Sequence, residues 1–275
     1  MRIALLQMTS GIDAAANTRS MIDAIAAAKS GGADMLFAPE MGVLVDSNRE
    51  RSTSQVPRED DSAALDALRK AACEAGLWLH PGSLPLTAES DPARRVNRSL
   101  VIDDSGEIRA RYDKIHRFDV TLASGETWRE SNVYAGGTRA VALDMPWGRL
   151  GLAICYDLRF PALFDALGRA RCDMIALPSA FTVPTGRDHW HVLIRARAIE
   201  SSCFMIAAAQ TGEHEDGRRT YGHSLVVDPW GRVVLDMGED AGLGFADIDF
   251  QLVADARAQI PALDHRRAVG ETDIR

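Results

Sequence analysis

The sequence predicts a layered α/β protein in which mixed sheets are covered by helices. Three observations predict it. Short apolar runs of strand type alternate with segments of helical periodicity. Hairpin signals interrupt that alternation, which argues against a pure parallel barrel. The second half of the chain repeats the rhythm of the first.

In order, "RIALLQM" (2–8) reads as a buried strand. "AANTRSMIDAIAAAKSGG" reads as a helix with Met21, Ile22 and Ile25 on one face, stopped by Gly31 and Gly32. "DMLFAPE" (34–40) is a strand ending in a proline and a glutamate. Residues 60–75 read as a helix, and "LWLHPGSL" returns to strand. "RSLVIDDSGEIRARY" is a hairpin turning on Asp104-Ser105-Gly106. In the second half, "AVALDMPWGRLGLAIC" is a strand, a Pro-Trp-Gly turn and a strand. "PALFDALGRARC" and "RDHWHVLIRARAIESS" are helices, each followed by a strand, "DMIALPSAF" and "CFMIAAAQ". "GHSLVVDPWGRVVLDM" is a hairpin on a second Pro-Trp-Gly turn. In both turns proline presets φ and glycine takes the unusual conformation, so their tryptophans read as packing residues. The polar stretch 46–60 predicts a mobile surface loop. Beyond residue 250 the chain predicts an irregular tail, disordered or docked on a partner subunit. No linker is visible, so the expectation is a single domain over 1–275 with a tail over about 251–275.

With 275 residues the chain is long enough to bury a substantial core. Acidic residues outnumber basic ones 39 to 31, and there is no cationic tract, which speaks against nucleic acid or an anionic membrane as partner. No apolar run approaches the length that spans a bilayer, and the N-terminus turns polar too quickly for a signal peptide. The four cysteines, at 73, 155, 172 and 203, form no CxxC pair. That spacing argues against a zinc cluster or a disulfide framework and for reduced thiols in the cytoplasm. No metal or cofactor is expected.

"GLAICYDLRF" (151–160) stands apart. An apolar strand stops at Cys155, and Tyr156, Asp157 and Arg159 follow. Free cysteine is usually a small buried hydrophobe, and that reading suits Cys73, Cys172 and Cys203. Cys155 instead ends a strand, where sites gather in α/β folds. A nucleophilic thiol needs a base or a nearby cation, and donors for the oxyanion it creates. Two other strand ends offer them. Glu40 closes "LFAPE", and Lys114 ends the return strand of the first hairpin. His116 lies two residues beyond Lys114 and would share its face on an extended strand, so a Cys–His pair stays open.

"LFAPE", "YDKIH" and "GLAICYDLRFP", in that order and about seventy-four and forty-one residues apart, resemble the nitrilase superfamily of carbon–nitrogen hydrolases. The resemblance runs from "RIALLQM" to "DHRR". It implies a four-layer α-β-β-α sandwich and a metal-free triad with Glu40 as general base and Cys155 as nucleophile. Lys114 and the backbone N–H of Tyr156 would form the oxyanion hole. A second glutamate is implied near "SGETWRES", where Glu130 fits better than Glu126. Family members pair subunits and extend C-terminal tails, implying a homodimer or a larger homo-oligomer. "AAAQTGEH" followed by "YGHS" is most similar to the deaminated-glutathione amidase branch.

The resulting expectation is a thiol amidohydrolase: Cys155 attacks a terminal primary amide, ammonia leaves, and water hydrolyses the thioester. The rival branches are ω-amidases and N-carbamoyl amidohydrolases. A scaffold that kept the fold without activity is a rival of another class. Arg159, four residues past the nucleophile, and Arg187, in a stretch that departs from its relatives, are candidates to clamp a substrate carboxylate. Arg159 paired with Asp157 or another carboxylate is the structural alternative. Arg197 and Glu200, three apart on a helix, read as a stabilising pair.

Overall fold

The computed structural model describes residues 1–121, 125 and 127–274. The first half runs β1 (Arg2–Gln7), α1 (Ala14–Ser30), β2 (Met35–Phe37), a short α2 (Arg49–Ser52), α3 (Ala63–Ala75), β3 (Trp78–His80), β4 (Ser83–Thr87), β5 (Arg95–Ile102) and β6 (Ile108–Asp113). A small ribbon follows, β7 (Asp119–Thr121) with β8 (Thr127–Arg129). The second half runs β9 (Val141–Met145), β10 (Gly148–Leu152), α4 (Pro161–Arg169), β11 (Met174–Ala176), α5 (Val183–Ser201) and β12 (Phe204–Ala207). Then come β13 (Thr211–Glu213), β14 (Arg219–Tyr221), β15 (Leu225–Val227), β16 (Val233–Asp236), β17 (Gly242–Asp247), α6 (Phe250–Gln259) and α7 (Ala262–His265).

Two sheets carry the fold. One has the order β17-β1-β2-β3-β5-β4, with β6 also paired to β5; the other has the order β16-β15-β12-β11-β10-β9. Strand alternation explains the layers. In β1, Ile3 and Leu5 belong to the core shared with the second sheet, whereas Ala4 and Leu6 pack with the core under α1 and α3. Met35, Phe37 and Trp78 face inward in the same way, and Leu36 and Leu79 outward. In the second sheet, a Cβ on Gly151 would lie 3.1 Å from Leu167 of α4, so that position faces the outer helices. The result is the expected α-β-β-α sandwich.

The hairpins form as predicted, β5 with β6, β9 with β10 and β15 with β16. Four expectations need correction. Residues 46–60 are a built wall: Glu59 bonds Arg98 (2.8 Å) and Arg111 (2.7 Å), and Arg95 donates to the Arg49 carbonyl (3.0 Å) and to Ser52 Oγ (2.9 Å). The sequence reads as a loop because its apolar residues are few; its order comes from ionic and polar ties to distant strands. The tail is helical and docked on its own subunit through His265, and irregular only beyond it. Val253 and Leu263 are buried, Arg257 pairs with Asp173 at 2.9 Å, and Arg266 donates to the Asp165 carbonyl. Cys73 is exposed on α3, not buried. Of the two turn tryptophans, Trp147 packs edge-on against Trp78 across the sandwich, while Trp230 is exposed.

Candidate active site

Three chain segments converge on a cavity of about 450 Å³. Glu40 lies in the turn after β2. Gly82 makes room for that turn, since a Cβ there would come within 1.8 Å of the Pro39 carbonyl. Lys114 follows β6 and is fixed at the backbone by two bonds: its N–H donates to Asn97 O (3.0 Å), and its carbonyl accepts from Gly137 N (2.9 Å). Cys155 follows β10 and opens a short 3₁₀ turn through Arg159, at φ +46, a conformation that L side chains hold only when the surroundings impose it. Cys155 donates its N–H to the Pro178 carbonyl and Asp157 to the Ile154 carbonyl, both at 3.0 Å. The N–H of Tyr156 between them meets no internal acceptor among the described residues.

The charges form a tight network. Lys114 Nζ donates to Glu40 Oε1 at 2.9 Å and to both Glu130 oxygens at 3.1 and 3.0 Å. Glu40 also accepts from Asn97 Nδ2 (2.9 Å) and from the backbone N–H of Ala180 (3.0 Å). Glu130 accepts from the Phe118 N–H at 2.6 Å. Burial works against charge on Lys114, but Glu130, Glu40 and Cys155 outweigh it and hold its pKa well above the ordinary lysine value. Burial, then the neighbouring Glu40 carboxylate, pushes the Cys155 thiol well up, opposed by Lys114. The resting cysteine is therefore a neutral thiol beside an anionic acceptor and a cation, a set equipped to attack a carbonyl and hold the resulting oxyanion.

Asp157 does not pair with Arg159. It is fully buried and accepts from Tyr112 Oη (2.6 Å), His116 Nδ1 (2.7 Å), His116 N (3.0 Å) and Ile154 N (2.9 Å). This one carboxylate ties the lysine segment to the nucleophile turn. His116, held there and stacked on Phe160 at 3.6 Å, is outside the residues that line the cavity. The Arg197–Glu200 pair forms at 2.7 Å, and Arg197 Nε also donates to the Leu158 carbonyl, bracing the same turn.

Glu40, Lys114, Glu130, Cys155, Tyr156 and Arg159 all line the cavity. Arg187 does not: it lies exposed on α5, because Val183–Ser201 is helical throughout rather than opening with a loop. Glu126 lies outside the described residues. Sequence reasoning missed Arg49, Arg95, Arg129 and Arg218, which share the walls with Arg159. It also missed Asn97, which sits among Arg95, Arg98 and Ser99 at the polar start of β5 and carries no local signal that sets it apart.

A carbon–nitrogen hydrolase family profile matches residues 2–258. The chain belongs to the carbon–nitrogen hydrolase family. This hydrolase of non-peptide carbon–nitrogen bonds is 37% identical to a deaminated glutathione amidase of Yersinia enterocolitica, over 97% of its own length and 93% of the relative's. It is similar to the crystal structure of the Caenorhabditis elegans NitFhit protein, with a TM-score of 0.88 and 39% identity, covering 97% of this chain and 65% of that longer one. It is also similar to an amidase of Nesterenkonia sp. AN1, solved with acrylamide added to its active-site cysteine. There the TM-score is 0.79 and the identity 28%, over 95% of this hydrolase and 98% of the amidase.

Proposed function

We propose that this chain is an amidase that opens the amide of a small carboxylate substrate, deaminated glutathione foremost, through a thioester on Cys155. One observation carries the reading: a thiol, two carboxylates and an ammonium share one cavity whose other charged lining is five arginines against one aspartate. Glu40 takes the thiol proton as Sγ attacks the carbonyl carbon. Lys114 Nζ and the Tyr156 N–H hold the oxyanion. The carbon–nitrogen bond breaks as Glu40 passes its proton to the leaving nitrogen. Water then adds to the thioester, Glu40 accepts its proton, and the carboxylic acid and free thiol result. Glu130 keeps Lys114 charged and in place.

Arg49, Arg95, Arg129, Arg159 and Arg218 line the cavity against a single further carboxylate, Asp46, which Arg51 holds at 2.7 Å. A chain of net charge −8 repels anions at long range, so such local cations are what a carboxylate substrate requires. Arg159 is the proposed clamp. Among the described residues it meets the ring of His189 (Nδ1, 3.2 Å) and the faces of Phe181 (5.5 Å) and Tyr156 (5.9 Å), which leaves its charge for a ligand. Tyr156 forms part of the same wall.

Deaminated glutathione contains two secondary amides and no primary amide, so its leaving group is an amine; ammonia is the product only from primary amides such as α-ketoglutaramate. The test compares kcat/KM for the two, following free amine in one case and ammonia in the other. A higher value for deaminated glutathione supports this reading. Preference for α-ketoglutaramate or for a carbamoyl compound moves the chain to a rival branch with the triad unchanged. A homodimer or larger homo-oligomer in the cytoplasm completes the proposal. Exposed Val192 and Ile199 on α5 support the oligomer, and light scattering on the purified protein checks it. One cooperative unfolding transition is the expectation for 1–275 as a single unit.

A further inference from the structure

We propose that His191, His223 and Asp236 form a surface binding site for a divalent transition-metal ion that favours imidazole, separate from the catalytic cavity. The three residues come from α5, from the segment between β14 and β15, and from β16. One ligand atom from each lies within 4.8 Å of the others. Asp236 faces one imidazole with each oxygen, His191 Nε2 at 3.0 Å and His223 Nδ1 at 2.9 Å. Ligand atoms around a tetrahedral ion bound at about 2.0–2.1 Å sit about 3–3.5 Å apart, so a small side-chain rotation completes the geometry.

The surroundings hold these donors in place, as a metal site requires. The Gly238 N–H donates to Asp236 Oδ1 at 3.0 Å. His223 is clamped by its backbone: its N–H donates to the Gly238 carbonyl (2.6 Å), and its own carbonyl accepts from Trp190 Nε1 (2.7 Å). Tyr221 stacks on the His223 ring with centroids 4.5 Å apart. The three side chains are between 21% and 34% exposed, so an ion would keep solvent ligands on its outer side. Two nitrogen donors disfavour calcium and magnesium, which take oxygen, and favour zinc, nickel, cobalt or copper. None of the three residues lines the catalytic cavity, so occupancy leaves basal turnover unchanged.

The experiment is calorimetric titration of the tag-free protein with nickel chloride. One ion per chain with a micromolar Kd is expected. His191→Ala and His223→Ala should each weaken it at least tenfold, while Cys155→Ala should leave it unaltered. The metal should also raise the melting midpoint of the wild type by several degrees and that of His191→Ala by none. No binding below millimolar nickel would overturn the site; the two imidazole–carboxylate hydrogen bonds would then be the whole of its role. Binding that survives both histidine substitutions, or that Cys155→Ala removes, would also overturn it. Should His223→Ala fail to fold, His191→Ala alone decides, because His191 sits on the outer surface of a helix.

Discussion

The two sheets follow one plan and contribute opposite chemistry. Each has three parallel strands, β1-β2-β3 and β10-β11-β12, an antiparallel strand, β17 or β9, beside the first of them and another, β5 or β15, beside the last. The loops at the ends of the first sheet carry the charges, Glu40 after β2 and Lys114 after β6. The loops of the second carry the uncharged groups of that network, the Cys155 thiol and the Ala180 N–H, and one cavity-wall cation, Arg159. Neither half is a site. The proposed proton path from thiol to carboxylate needs the two sheets packed face to face, so core packing sets its geometry.

The sharpest way to break this comparison is to remove the uncharged side. Cys155→Ala should lower turnover by about 10⁴-fold or more and leave the fold intact; substantial activity in a folded variant would sink the nucleophile assignment. On the charged side, Glu40→Gln and Lys114→Ala should each cost on the order of a hundredfold or more in kcat. His116→Ala should cost much less. If His116 matters as much as Glu40 while Lys114 is dispensable, the Cys–His alternative replaces the triad.

The tie between the halves is the next target. Asp157→Ala strands the buried Tyr112 hydroxyl and the Ile154 and His116 N–H groups, with an expected loss of about 3 kcal/mol. Urea unfolding measures it. Rates should fall as well, because Cys155 and Lys114 lose their common anchor. An unchanged midpoint would show that the halves are aligned by the core alone.

Arg159→Ala should raise KM for carboxylate amides about tenfold or more relative to neutral amides. Arg187→Ala should not. Equal losses on both substrate classes would make Arg159 a structural group.

The last prediction belongs to the first sheet alone. His80 is fully buried, and burial lowers its pKa from 6.5 to about 3. Between those values the unfolded chain binds a proton that the folded chain refuses, so stability falls as pH drops below about 6.5. At pH 5 the loss from this residue is about 2 kcal/mol. His80→Gln should flatten that part of the stability–pH curve, and an unchanged slope would place the acid sensitivity elsewhere.

Much of this was legible in the sequence. Short apolar strand runs, helices stopped by glycine and hairpins on Asp-Ser-Gly or Pro-Trp-Gly are local signals, and they held. Glu40 and Cys155 were legible because each breaks an apolar run at a strand end, and Lys114 because it ends the return strand of a hairpin inside the "YDKIH" segment. Arg187 misled because helical phase, not its place after Pro184 and Gly186, sets its direction. The arginine wall and the order of residues 46–60 were hidden, since both depend on partners 39 or more residues away.

The sequence by itself determined which elements form and which three residues break them with reactive groups, because hydrophobic period and turn chemistry act over a few residues. The tertiary structure alone decided that these groups meet, that Asp157 joins two segments instead of pairing with Arg159, and that His191, His223 and Asp236 gather at the surface. Those are properties of distance and burial, and sheet packing sets both.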